Sequence, residues 1–164
     1  MTITILPFLP ERAPLFDRLN RAWIEEYFAI EPVDDLVLTQ PEKMILAPGG
    51  EIWFGALGSD IVGACALLHY APGVFEFTKL GVDPAARGKG VARALLRHCR
   101  DRARIRGAHT LKIFTSTKLA PANALYRSEG FVEVEMSAEQ KVRYQRGDIM
   151  YDLALQPAQQ SKRA

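Results

Sequence analysis

Residues 80–92 read Leu80-Gly81-Val82-Asp83-Pro84-Ala85-Ala86-Arg87-Gly88-Lys89-Gly90-Val91-Ala92, and they lie where a strand pattern passes into a helix pattern. Gly88 and Gly90 permit positive φ and carry no side chain, so the backbone N–H groups at the helix start can close around an anion. The helix dipole strengthens that attraction, and Arg87 and Lys89 add full positive charges. We expect this turn to bind a pyrophosphate; the alternative is a glycine-rich turn that only connects two elements.

Two other phosphate-binding motifs do not fit these residues. A P-loop, G-x-x-x-x-G-K-[ST], would need a glycine at Asp83 and a hydroxyl side chain at Gly90. The dinucleotide fingerprint G-x-G-x-x-G would need a glycine at Arg93 and an acidic residue at the end of the next strand, which ends here in Phe114-Thr115-Ser116. The sequence therefore excludes both motifs at this turn.

Strand patterns precede the turn. Short apolar runs at residues 51–57, 61–70 and 74–82 are joined by Gly58-Ser59-Asp60 and Ala71-Pro72-Gly73, which predicts an antiparallel meander.

Further upstream, the pattern predicts a first strand at residues 2–8 and a helix at 13–28. The apolar residues proposed for the buried stripe of this helix are Leu15, Leu19, Trp23 and Tyr27. Residues 31–46 contain two prolines and two apolar pieces, which is compatible either with short helices or with a structured loop.

Downstream of the turn we predict a helix that ends near Gly107, then a strand at 110–116, a helix from Pro121 to Gly130, and strands at 131–136 and 148–155. The buried stripe of the first of these helices is formed by Val91, Leu95, Cys99 and Ala103. We expect residues 1–155 to form one domain and residues 156–164 a flexible tail.

Composition narrows the class of protein. The 164 residues are 48% hydrophobic and 24% charged, which is typical of globular domains and argues against disordered, collagen-like and coiled-coil chains. The chain start lacks a signal-peptide pattern and no apolar run reaches membrane-spanning length, so we expect a cytoplasmic protein that is not bound to a membrane. Cys65 and Cys99 cannot form a disulfide framework or a cysteine-rich zinc site, so we expect buried thiols and no metal.

Two motifs together resemble the GNAT superfamily of N-acetyltransferases. Ala85-Ala86-Arg87-Gly88-Lys89-Gly90 is similar to the family's acetyl-CoA loop, [QR]-x-x-G-x-[GA], although Ala85 departs from its first position. Asn123-Ala124-Leu125-Tyr126-Arg127-Ser128-Glu129-Gly130-Phe131 is similar to the family's N-x-x-[LF]-Y-x-x-x-G-F. The resemblance covers residues 52–155. It implies an α/β (α+β) fold with a mixed, mostly antiparallel central sheet flanked by helices on both faces.

The resemblance also implies a reaction. The acetyl group of acetyl-CoA would pass directly to a primary amine of a small molecule or peptide in a ternary complex, and Tyr126 would protonate the leaving thiolate. The alternative is a catalytically silent, acyl-CoA-binding sensor module. The residues implied in cofactor binding are Leu80, Gly81, Val82, Arg87, Gly88, Lys89, Gly90, Val91, Ala92, Arg93, Asn123 and Arg127.

The general base is expected at Glu76. Period-two alternation would place it on one face of its strand with Thr78, Leu80 and Val82. A surface glutamate is an equally good interpretation, and His69, His109 or a chain of water molecules are rival bases.

Charge is distributed unevenly along the chain. Residues 1–62 carry ten acidic and four basic side chains, whereas residues 63–164 carry nine acidic and seventeen basic ones. The basic residues between Arg87 and Arg106 suit the phosphates of CoA, while nucleic-acid binding lacks a supporting aromatic pattern. Two opposed groups could face the acceptor: the acids Glu25, Glu26, Glu31, Asp34 and Asp35, which favour a cation, and Arg143, Tyr144 and Arg146, which favour a carboxylate. The assembly is expected to be a monomer or a homodimer.

Overall fold

A computed structural model describes residues 2–144, 146–156 and 158. The strands are β1 (Ile3–Pro7), β2 (Glu51–Leu57), β3 (Asp60–Ala71), β4 (Val74–Val82), β5 (Thr110–Thr115), β6 (Val132–Val134) and β7 (Ile149–Ala154). The α-helices are α1 (Ala13–Tyr27), α2 (Pro32–Thr39), α3 (Val91–Ile105), α4 (Ala120–Ser128) and α5 (Ala138–Arg143). Single turns of 3-10 helix lie at Pro10–Arg12 and Pro84–Ala86, and a π-helical turn lies at Glu42–Leu46.

The seven strands are ordered β1-β2-β3-β4-β5-β7-β6. β1 with β2, β2 with β3, β5 with β7 and β6 with β7 are antiparallel pairs, whereas β4 and β5 are parallel. This mixed, mostly antiparallel sheet confirms the predicted fold class. Contacts within the chain define two compact units, one of Met1–His69 and Phe77–Cys99 and the other of Tyr70–Glu76 and Arg100–Ala164.

In the first unit, the predicted stripe of α1 is confirmed at Leu19, whereas Leu15 and Trp23 are only half-buried. The buried residues of α1 are Phe16, Leu19, Asn20 and Ile24, and Tyr27 is exposed. Asn20 tolerates burial because its amide donates to the Phe16 carbonyl and its oxygen accepts from the Trp23 indole, each at 3.0 Å. A polar residue whose hydrogen bonds are satisfied can therefore occupy a core position that apolar pattern alone assigns elsewhere.

Residues 31–46 form two short helical pieces, which was one of the two interpretations left open. Reciprocal hydrogen bonds between Glu31 and Asp34 cap the start of α2. The Asp34 carboxylate is buried and lies 3.7 Å from the Lys79 ammonium group of β4. In α3, the predicted stripe is confirmed, because all four of its members are buried.

In the second unit, β5 pairs with the first part of β4 and with β7. β6 is shorter than the predicted strand at 131–136, and α5 was not predicted at all. The signal for α5 was present, since Ser137 and Gln140 form a capping box. The predicted tail lies outside the described residues apart from 156 and 158. Among the described residues, no helix combines the length and apolar character needed to cross a membrane.

Candidate active site

The turn between β4 and α3 has the backbone that its glycines were expected to supply. Gly88 and Gly90 adopt φ values of 76° and 87°, and α3 starts at the next residue, Val91. A Cβ added to Gly88 would meet no heavy atom within 4 Å, so the requirement for glycine there is conformational rather than steric. The initial N–H groups of an α-helix have no carbonyl partner within the helix and can bind an anion.

Charged side chains border this turn. Arg87 and Lys89 are exposed, and the Arg87 guanidinium lies 3.2 Å from the Glu26 carboxylate of α1. The backbone N–H of Ala85 donates a hydrogen bond to the Asp83 carboxylate. Asp83 also lies 3.8 Å from the Arg18 guanidinium of α1, so ion pairs at both Asp83 and Arg87 link the turn to that helix. The Arg87 pair is exposed, so this arginine can exchange its partner for a phosphate.

Strand β4 contains an irregularity just before the turn. Lys79 adopts φ 54°, which interrupts the pleat, so the expected alternation from Glu76 and Thr78 through Leu80 and Val82 was wrong beyond Lys79. Gly81 has a packing reason of its own, because a Cβ there would lie 2.5 Å from the Leu19 carbonyl oxygen of α1.

Helix α4, in the second unit, holds the second motif. The amide of Asn123 donates to the carbonyls of Ser116 and Leu119 at 2.8 and 2.9 Å. The Tyr151 hydroxyl donates to the Asn123 oxygen at 2.9 Å and accepts from the Arg127 guanidinium at 3.1 Å. Asn123 therefore fixes the start of α4, and its assignment to cofactor binding stays a prediction.

Tyr126 is buried, with its ring close to the rings of Phe131 and Tyr151 at centroid distances of 6.2 and 5.9 Å. These contacts fix the ring on the buried side of α4. They are compatible with both interpretations of Tyr126, as an aromatic packing residue and as a proton donor. Arg127, next along the helix, is exposed and retains further N–H donors beyond the one bonded to Tyr151.

Glu76 is buried, at 6% exposure, and accepts a hydrogen bond of 2.9 Å from the Tyr144 hydroxyl. The Tyr144 ring stacks on Phe114, with centroids 3.8 Å apart and planes inclined by 7°. Burial and the nearby Glu76 charge both raise the pKa of Tyr144, so its hydroxyl is a neutral donor at physiological pH. Glu76 is therefore a buried carboxylate and not the exposed surface residue of the alternative interpretation.

The rival bases differ from Glu76 in their surroundings. His69 and His109 are exposed. The His109 ring lies 2.8 Å from the Thr110 hydroxyl and close against Gly73, where an added Cβ would lie 2.4 Å from it. This histidine supports the turn between β3 and β4.

Sequence reasoning missed the partners that surround Glu76. Tyr144 was considered only as part of a carboxylate-binding segment, and neither Tyr70 nor the ion pair of Lys112 with Asp152, at 2.6 Å, was considered. The strand register of β5 could have indicated Lys112, because this residue lies opposite Glu76 on β4 and opposite Asp152 on β7. The acids of α1 and α2 also have partners: Glu26 pairs with Arg87, Asp34 with Lys79 and Asp35 with Arg21.

Comparison with known proteins agrees with these motifs. The family model "Acetyltransferase (GNAT) domain" matches residues 48–133, just over half of the chain. Streptothricin acetyltransferase from Streptomyces lavendulae is 48% identical over 81 residues, which are 48% of this chain and 43% of that protein. N-acetylaspartate synthetase from Rattus norvegicus is 32% identical over 85 residues, 51% of this chain and 28% of that protein. The chain thus spans less than half the length of these curated relatives.

Among solved structures, a GNAT-family acetyltransferase from Staphylococcus aureus superposes with a TM-score of 0.83 at 18% identity, covering 94% of this chain and 100% of that one. At this identity the likeness shows the fold alone. The matched family segment includes β2 to α4 and hence both motifs. The chain belongs to the GNAT acetyltransferase family.

Proposed function

We propose that the chain transfers the acetyl group of acetyl-CoA to a primary amine of a small molecule or peptide, by direct attack in a ternary complex. The observation that carries this proposal is the turn of residues 87–90. Its two glycines adopt positive φ directly before the 15-residue helix α3, and a lysine and an arginine stand beside them. Such a turn presents backbone N–H groups and positive charge to a pyrophosphate, the group that distinguishes CoA from a simple thioester.

Different residues suit different chemical groups of CoA. Backbone N–H groups of Gly88, Gly90, Val91 and Ala92, with the side chains of Arg87 and Lys89, suit the pyrophosphate. Arg93 and Arg127 suit the remaining phosphate, and the backbone of residues 80–82 suits the pantetheine and the thioester carbonyl. Asn123, the remaining residue assigned to cofactor binding, supports the start of α4.

The chemistry needs three proton transfers. Glu76 accepts a proton from the acceptor's ammonium group, and the neutral amine then attacks the thioester carbonyl carbon. The tetrahedral oxyanion formed in this way is stabilised by backbone N–H groups, and its collapse breaks the carbon–sulfur bond. Tyr126 donates its proton to the departing thiolate, and the amide nitrogen, which still carries the extra proton of the attacking amine, returns one proton to the tyrosinate. The products are therefore a neutral amide and CoA thiol, and Tyr126 is neutral again.

Nitrogen is the favoured acceptor atom. One relative, N-acetylaspartate synthetase, is named for an N-acetylated product. The buried carboxylate of Glu76 suits removal of a proton from an ammonium group, which must lose that proton before it becomes nucleophilic.

A thiol-release assay tests the proposal. Acetyl-CoA is mixed with the protein and a panel of alkyl monoamines, polyamines, amino acids and peptides, and free CoA thiol is followed while mass spectrometry identifies the acetylated product. We expect CoA release that depends on one class of amine. Acetyl-CoA binding without release from any amine would instead support the silent acyl-CoA-binding module.

A further inference from the structure

Three aromatic side chains and one carboxylate of the second unit form a connected group. We call Tyr70, Glu76, Phe114 and Tyr144 the aromatic–carboxylate cluster. The Tyr144 hydroxyl donates to Glu76, the Tyr144 ring stacks on Phe114, and the Tyr70 ring lies 5.8 Å from Phe114. The cluster therefore combines a buried negative charge with three π-systems, the two kinds of group that attract organic cations.

Charged side chains of both signs lie near the cluster. The Lys112 ammonium lies 2.6 Å from the Asp152 carboxylate and 5.8 Å from the centroid of the Tyr70 ring. The Lys112 ammonium is therefore held by Asp152. Arg143 lies over the outer part of the cluster, with its guanidinium carbon 5.5 Å from the Tyr144 ring centroid. A cation that reaches Glu76 thus meets a buried carboxylate of opposite charge.

Tyr144 reaches Glu76 from a weakly anchored segment. It follows α5, which has six residues and no buried side chain. Hydrogen bonds link the described part of this segment to the cluster: Gln140 donates to the Tyr70 hydroxyl at 3.0 Å, and Tyr144 donates to Glu76. Val142 of the same helix is 72% exposed. A helix that buries no side chain separates from the rest of the protein at a low free-energy cost.

We propose that the Tyr144 hydroxyl occupies the position of the acceptor's ammonium group on Glu76 and is displaced when an organic primary ammonium ion binds. This inference rests on the proposed function, since it names the site and the charge class of that reaction's acceptor. The displacing bond is stronger because an ammonium–carboxylate hydrogen bond carries charge on both partners, whereas the hydroxyl is neutral. The rings of Tyr70, Phe114 and Tyr144 then contact the cation and its hydrocarbon neighbour.

The test measures amine binding in the absence of acetyl-CoA. The probe is n-butylammonium, titrated into protein whose Tyr and Phe rings are ¹³C-labelled, with butyrate as a control of the same size and opposite charge. We expect saturable shifts in the rings of the cluster with butylammonium and none with butyrate. Equal responses to both probes, or no ring shift with butylammonium, would overturn the proposal.

Variants separate displacement from simple support of Glu76. Tyr144→Phe keeps the ring and removes the competing hydroxyl, so it should bind butylammonium about tenfold more tightly. Tyr144→Leu also lacks the hydroxyl and should bind about threefold more weakly than Tyr144→Phe. Glu76→Gln should lose at least about tenfold. Tyr27→Phe, on the exposed side of α1, is the matched control and should bind as the unaltered protein does.

The sign of the Tyr144→Phe effect is decisive. Weaker binding in this variant, with an unchanged thermal midpoint, would show that the hydroxyl orients Glu76 and would overturn displacement. The thiol-release assay reports separately on transfer. Ring shifts without CoA release would count against the proposed reaction and support the ammonium site, whereas CoA release with unaltered rings would count against the site alone.

Discussion

The turn of residues 87–90 and the aromatic–carboxylate cluster are built in different ways. The turn is a contiguous segment whose shape comes from the φ angles of Gly88 and Gly90. The cluster brings together residues from β3, β4, β5 and the segment after α5. A local site is encoded where it stands, whereas a site assembled from distant side chains depends on the packing of every element that carries them.

The largest expected effect breaks the turn. In Gly88→Asp a carboxylate occupies the anion's place, so acetyl-CoA affinity should fall by at least about a thousandfold because like charges brought together cost several kcal/mol. Gly107→Asp is the matched control, since Gly107 also has positive φ, 83° against 76°, and open space around its Cβ position. Calorimetry should show loss of binding in the first variant and normal binding in the second. Equal affinities in both folded variants would refute the cofactor assignment.

Tyr126→Phe tests proton donation to the leaving thiolate and does not alter the turn of residues 87–90. It removes one hydroxyl and keeps the ring contacts with Phe131 and Tyr151, so acetyl-CoA binding should persist. Because a positioned acid contributes roughly 10²- to 10⁴-fold to the rate, kcat should fall by about that factor with KM for acetyl-CoA unchanged. Retention of more than about half of kcat, where chemistry limits the rate, would make Tyr126 a packing residue.

A neighbouring variant supplies the control. Tyr151→Phe removes the same atom from the adjacent ring and breaks hydrogen bonds with Asn123 and Arg127. We expect a lower thermal midpoint, since buried partners lose their bonds, and a kcat within a few-fold of the unaltered protein. A collapse of kcat in this variant would show that support of α4, rather than proton donation, dominates.

The same contrast explains what the sequence predicted. The turn at Gly88 and Gly90, the buried stripe of α3 and the succession of the seven strands along the chain were all predicted, because each depends on a local pattern of residue types. The stripe of α1 was predicted correctly only at Leu19, since a buried Asn20 with satisfied hydrogen bonds is invisible to an apolar pattern.

The environment of Glu76 could not be predicted in the same way. Its hydrogen bond to Tyr144 joins residues 68 positions apart, and no periodicity in the sequence relates them. The positive φ of Lys79 likewise has no sequence signal, because a lysine is an unusual residue for that conformation. Only the capping box of α5 was locally encoded and overlooked.

The packing of the two buried cysteines should affect acetyl-CoA binding less than the turn of residues 87–90 does. Cys65 of β3 and Cys99 of α3 are free, fully buried thiols with their sulfurs 3.5 Å apart. Replacing both with Ala leaves small cavities and should lower the free energy of unfolding by about 1–3 kcal/mol. Acetyl-CoA affinity and turnover should stay within a few-fold, as measured by calorimetry and thiol release. An acetylated cysteine in the intact mass of the unaltered protein would overturn direct transfer.

The smallest expected effect concerns a contact between Asp148 and Thr117, near the end of β5 and the start of β7. Asp148 precedes β7 and accepts hydrogen bonds of 2.8 Å from both the backbone N–H and the hydroxyl of Thr117, which follows β5. These bonds lower the pKa of Asp148, the backbone N–H contributing most. Because the native pKa lies below the unfolded one, the stabilisation is complete above the ordinary aspartate pKa and disappears as the pH falls through the lowered value.

Asp148→Asn should therefore reduce the free energy of unfolding at about pH 7 by roughly 0.5–1 kcal/mol, a modest amount because the carboxylate is exposed and screened by solvent. As the pH falls below the ordinary aspartate pKa of 3.8, the aspartate becomes increasingly protonated, and the difference in the free energy of unfolding between the two proteins should shrink. Urea unfolding at neutral and at acidic pH measures this difference. If the two proteins differ by the same free energy of unfolding at both pH values, the asparagine side chain does not reproduce the hydrogen-bond geometry of Asp148, and the charge contributes nothing. A smaller difference in the free energy of unfolding at acidic pH would show that the charge of Asp148 stabilises the contact between the end of β5 and the start of β7. The described residues of the turn at Gly88 make no such contact with Asp148.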